Sequence, residues 1–200
     1  MTIPFQYPFS PLTRRHGPRG YADHDSFRPW LRDEFSFRCV YCLQREWWVQ
    51  FRAAYHLDHF LPIAQHPEHA VRYDNLLYSC SSCNSLKGAQ LLPDPVLVFV
   101  REALRVSADG TIEATTAEAA RIVLLLDLDS PDTRKFRRQW IGITALASQH
   151  DPDLYQQLMG FPDDLPDLNR LQPPEGNAKP EGIEESHFAR RQRGELPATY

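Results

Sequence analysis

Four cysteines fall in two Cys-x-x-Cys pairs, Cys39/Cys42 and Cys80/Cys83, and the chain has no others. A two-residue gap lets both sulfurs of a pair face one ion at about 2.3 Å, so the two pairs together predict a closed, four-sulfur structural Zn2+ site. A redox dithiol and unpaired buried cysteines are the rival readings, and matched pairs argue against both. Between and just after the pairs stand Asp58, His59, Asn75 and Asn84, residue types that activate water, pin a loop and hold a hard cation. Imidazole titrates near neutrality, which makes His59 the candidate general base of a hydrolysis. The carboxylate of Asp58 and the amide oxygen of Asn84 suit Mg2+ or Mn2+ better than zinc. Lys87, three residues after Asn84, is either a phosphate contact or a cation complementing the end of a helix.

Local pattern predicts the elements that carry these residues. Trp47 to Phe51 and Tyr55 to His59 are aromatic and β-prone, and read as two short strands or an extended hairpin. Pro62 and Pro67 mark an irregular loop. A short helix from Ser81 to Lys87 stops at Gly88 in the C′ position. His56 falls on the same strand face as Asp58 by alternation and reads as a surface histidine or an auxiliary ligand; His66 and His69 read as solvated loop residues. Upstream, Ser26 caps a helix running to Phe35. Beyond Pro93 and Pro95, the segments Val96–Val100, Leu104–Val106 and Thr111–Glu113 read as strands, the last two flanking an Asp109-Gly110 turn. Helices are predicted over Thr116–Leu126, from the Ser130-Pro131 cap to Ser148, and over Leu154–Met159.

Taken in order, Cys39-x-x-Cys42, Leu57-Asp58-His59-Phe60-Leu61-Pro62, Asp74-Asn75-Leu76 and Cys80-x-x-Cys83-Asn84-x-x-Lys87-Gly88 resemble the zinc-bearing branch of the HNH endonucleases. The resemblance implies an α+β fold: a zinc-stapled ββα-metal finger, here with a C-terminal mixed strand/helix extension. It implies that His59 is the general base, that Asp58 and Asn84 hold one catalytic divalent cation (Mg2+, or Mn2+ or Ni2+), and that Asn75 orients the loop and the base. The last motif position is Asn84 rather than His, which leaves the preferred metal open. The expected organisation is an extended arm (1–25), an HNH nuclease domain (26–92), a strand/helix subdomain (93–162) and a disordered tail (163–200), the tail being rich in Pro, Asp and Glu with few apolar anchors.

Composition bounds the function classes. No apolar run approaches the roughly 20 residues of a spanning helix, and the N-terminus lacks a signal-peptide pattern, so a cytoplasmic protein is expected. Up to Leu92 the chain carries 10 Lys/Arg against 8 Asp/Glu, and from Pro93 onward 12 against 18. The basic excess includes Arg14, Arg15 and Arg19, which read as a solvated arm or as phosphate contacts to a DNA backbone. DNA is the expected substrate, with RNA less favoured, and cutting both strands with one active site calls for a homodimer or a protein partner. The alternative to a nuclease is a zinc-stapled nucleic-acid-binding module without catalysis.

Overall fold

A computed structural model describes residues 3–49 and 54–200. Around the cysteines the finger forms as expected. Strand β1 (Tyr55–His59) pairs antiparallel with β2 (Leu76–Cys80), Tyr55 opposite Cys80 and His59 opposite Leu76. Helix α2 (Ser81–Lys87) follows β2 directly and ends at Gly88, whose φ of 49° is a conformation glycine adopts at least cost. The partner of β1 is therefore β2. Glu46–Trp48 forms a 3-10 turn, and Phe51 lies outside the described residues. Trp48 stacks on Trp140 with ring centroids 4.3 Å apart and planes 6° from parallel. Trp48 is thus a packing residue against a distant helix, and periodicity does not separate that from a strand.

Helix α1 (Arg28–Glu34) follows a 3-10 turn at Asp25–Phe27 and packs Trp30 and Leu31 into the core. Ser26 does not cap it; its hydroxyl donates to Asp23 Oδ2 at 2.8 Å. The N-terminal segment is extended and closely packed. The Tyr7 hydroxyl donates to the Tyr41 carbonyl at 2.9 Å, and His16 is buried against Trp30.

Beyond Pro93 the expected strand at Val96–Val100 is replaced by a short helix, α3 (Pro95–Val98). Asp94 accepts a hydrogen bond from Val96 N at 2.9 Å and Pro95 occupies N1, a start signal that outweighs β-branched propensity. Strands β3 (Leu104–Val106) and β4 (Ile112–Ala114) pair antiparallel across the Asp109-Gly110 turn. Helices α4 (Ala117–Leu125), α5 (Pro131–His150) and α6 (Pro152–Met159) are capped by Thr116, Ser130 and Asp151. One buried cluster joins Trp30, Tyr41 and Leu76 to Phe99, Leu104 and Ile122, so the core runs unbroken across Pro93.

Residues 163–200, expected to be disordered, are structured. They carry α7 (Glu181–Glu184) and α8 (His187–Gln192), bury Leu168, and form a β-bridge from Asn177 to Pro18. Their anchor is polar, which is why composition does not reveal it. The buried Asp33 accepts from the backbone N and Nδ1 of His187 at 2.8 and 2.9 Å, from His16 Nε2 at 3.0 Å and from Arg15 at 3.1 Å. Burial alone would raise the Asp33 carboxyl, yet the His16 and His187 hydrogen bonds hold it well below the usual carboxylate range. No described helix is long and apolar enough to cross a membrane.

Candidate active site and metal centre

The chain path brings all four cysteines together. One ligand atom from each of Cys39, Cys42, Cys80 and Cys83 lies within 4.8 Å of the others, and the Sγ atoms of Cys42 and Cys80 are 3.7 Å apart. A tetrahedron with metal–sulfur bonds of about 2.3 Å has an edge of about 3.8 Å, so this spacing is that of a shared zinc ion and far from a disulfide. Hydrogen bonding to Cys39 leads the causes that push the Cys42 and Cys83 thiols up, and the same bonding draws the Cys80 thiol down. A dication bound there would replace those shared protons. The donor set fits zinc.

His59 ends β1 and is half-buried, with its Nε2 2.8 Å from the Ala70 carbonyl oxygen. A carbonyl only accepts, so Nε2 carries the hydrogen and the neutral ring keeps its lone pair on Nδ1. Partial burial pushes the imidazole below the ordinary histidine value; the Ala70 bond opposes this, and the neighbouring His24 adds to it. The loop that supplies Ala70 is tied by Asn75. Its Nδ2 donates to the carbonyls of Leu61 and His69 at 3.1 and 3.2 Å, and its Oδ1 accepts from Leu61 N at 2.8 Å. Buried Asn75 thus clasps both ends of the segment that fixes the His59 tautomer.

Asp58 is buried beneath α2. Its Oδ1 accepts from Lys87 Nζ at 2.9 Å and its Oδ2 from the Tyr41 hydroxyl at 2.6 Å. The Lys87 ammonium also donates to the His59 carbonyl at 2.6 Å, and the side chain is 0 % exposed. Lys87 is therefore an internal clamp on the Asp58-His59 dipeptide, not the phosphate contact considered from sequence. Asn84 lies one turn before Lys87 on α2, at a spacing that puts the two on one side of the helix, and its side chain has no partner among the described residues. Each Asp58 oxygen spends one acceptor direction and retains another. A carboxylate oxygen and an amide oxygen are donor types that a hard divalent cation takes, and a cation held by Asp58 would share the carboxylate with Lys87.

Removing one member of a buried ion pair leaves an uncompensated charge. Lys87→Met is therefore expected to cost about 3–5 kcal/mol, read as a shift of the urea midpoint. Asp58→Asn in the same chain should recover part of that loss. A cost below about 1 kcal/mol would show that the pair is dispensable.

Arg14 and Arg15 of the N-terminal segment are likewise engaged by partners within the chain, whereas Arg19 is exposed. Arg14 Nη2 donates to the Leu76 carbonyl at 2.7 Å and its guanidinium lies over Phe35 at 4.8 Å; Arg15 pairs with Asp33 and Glu34. Both lock the segment onto the finger, correcting the phosphate-contact expectation. His56 is exposed, and His66 and His69 flank Glu68 at 3.5 Å each. Two site residues escape sequence reasoning. The His24 ring stands against His59 with centroids 5.0 Å apart, and Tyr41, inside the first cysteine pair, holds Asp58. Neither carries a local signal, because both reach the site through tertiary contact.

Residues 39–90 match the family model described as HNH endonuclease. No curated protein matches the chain. Over residues 39–90, the chain carries an HNH endonuclease-family domain built as a ββα finger on a four-cysteine cluster.

Proposed function

We propose that this protein is a metal-dependent endonuclease that hydrolyses DNA phosphodiester bonds with His59 as general base. The observation that carries the reading is the His59–Ala70 hydrogen bond. It sets a neutral imidazole with a basic Nδ1 at the strand end of the finger. Water activated at Nδ1 attacks phosphorus in line, the P–O3′ bond breaks and the 3′ oxygen leaves, taking a proton from solvent, while the proton of the attacking water stays on the imidazole, whose charge the nearby Asp58 carboxylate favours. Asn75 keeps the ring from turning by holding the loop that bears Ala70. Asp58 and Asn84 would hold the divalent cation, which when bound neutralises charge on the phosphoryl oxygens. The structural ion at the four cysteines would be zinc, and its part is rigidity.

The test is nicking of supercoiled plasmid by the purified full chain across a series of Mg2+, Mn2+ and Ni2+. Cleavage that requires one of these metals supports the reading; none with any metal or in cell lysate refutes it. Its pH dependence has a defined sign. The base works unprotonated and its pKa lies below the ordinary histidine value of 6.5. The single-turnover rate should therefore rise with pH on the acid side, level off before pH 7 and stay flat above it. A rate still climbing between pH 7 and 8 would point to a different base.

A second reading, a nucleic-acid-binding module without catalysis, is favoured by one observation: the Lys87 ammonium already neutralises Asp58. It expects duplex binding without cleavage, unchanged by His59→Ala.

A further inference from the structure

Beside the first cysteine pair the fold leaves a cavity of about 320 Å3, lined by Cys39, Val40, Tyr7, Phe35, Val96 and Phe99. Ligand pockets begin at about this size, which accommodates one aromatic ring with a short side chain. The polar groups in the wall are unusual. Arg38 and Arg101 both line it, and neither has a carboxylate within 4.0 Å among the described residues. Arg38 Nε is buried with no hydrogen-bond partner. Behind it, Arg45 Nη2 is orphaned as well, and the two guanidiniums share the Tyr200 ring, at 4.1 and 4.0 Å from its centroid.

The carboxylate in the wall does not answer this charge. Glu34 is committed to the backbone N–H groups of Arg15 and His16, at 2.6 and 3.1 Å, and to the Tyr73 hydroxyl at 2.8 Å. Buried charge without an anion is costly, and an orphaned guanidinium donor is a directional site for an oxyanion.

We propose that this cavity binds a small aromatic anion, a carboxylate or a phosphate monoester, with its ring on the Phe35–Phe99 wall and its oxyanion on Arg38 and Arg101. The site is separate from His59, and the proposal stands whether or not the finger cuts DNA. Contact with Cys39 adds a consequence: an occupied cavity braces the first cysteine pair and slows loss of its zinc.

Calorimetric titration of the zinc-loaded full chain tests it, using 3-phenylpropionate, phenyl phosphate and the neutral 3-phenylpropanamide as probes. At least one anion should bind saturably with Kd below about 1 mM, and the amide at least tenfold more weakly. Whichever anion binds more tightly identifies the headgroup. Arg101→Gln should weaken that anion about tenfold. Val96→Trp, which fills the cavity without touching a charge, should abolish binding while leaving the melting temperature near that of the native chain. Arg38→Gln adds the same test if it folds. No saturable binding by either anion overturns the proposal, as does equal binding of acid and amide or undiminished binding to both Arg101→Gln and Val96→Trp.

Discussion

Replacing His59 with Ala is expected to lower the single-turnover rate of plasmid nicking by about 100- to 10,000-fold, the usual contribution of a positioned general base. The fold should survive. The side chain is half-buried and hydrogen-bonds a loop carbonyl, so the stability cost should stay near 1 kcal/mol, roughly that of one hydrogen bond. His59→Gln separates positioning from base chemistry, because its amide N–H can still donate to the Ala70 carbonyl while no basic nitrogen remains. Both variants should be equally inactive if the lone pair on Nδ1 does the work. Gln activity close to native would mean that the residue only props the loop. Ala activity above a tenth of native would remove His59 from the mechanism.

Loss of the bound metal is expected to be the largest single perturbation of stability. Structural zinc contributes on the order of 10 kcal/mol in small cysteine sites, comparable with the whole stability of an ordinary domain. For a chain of this length, that loss corresponds to a fall in melting temperature of about 20–40 °C. The cysteines join the start of the finger to the β2–α2 junction, so demetallation frees the hairpin carrying Asp58 and His59. Chelation followed by far-UV circular dichroism, and Cys80→Ser without chelator, should give the same loss. Elemental analysis should return one zinc per chain. An unchanged melting curve after complete chelation would mean that the aromatic core holds the finger unaided.

How much was legible before the structure depended on how local the signal was. The ββα order, the ends of α2 at Ser81 and Gly88, the cap at Ser130 and the β3–β4 turn each rest on residues a few positions apart. Val96–Val100 failed because Asp94-Pro95 is a helix start that a β-branched run conceals. The tail failed because its anchors are hydrogen bonds to Asp33, more than a hundred residues earlier in the chain, and composition counts apolar groups only.

The candidate site divides along the same line. The sequence alone specified which residues can do chemistry: four paired thiols, an imidazole, a carboxylate and two amides, in an order that one finger can gather. Only the tertiary structure decided what each cation does. Lys87, Arg14 and Arg15 all look available to phosphate in the sequence, and all three are engaged by partners within the chain, Lys87 fully buried. Long charged side chains are flexible enough to reach many partners, and a cation taken out of water must be matched by the nearest carboxylate, carbonyl or ring. That match is made by distant segments, so it appears only when the chain is folded. Arg38 and Arg45 are matched by the Tyr200 ring rather than by a carboxylate.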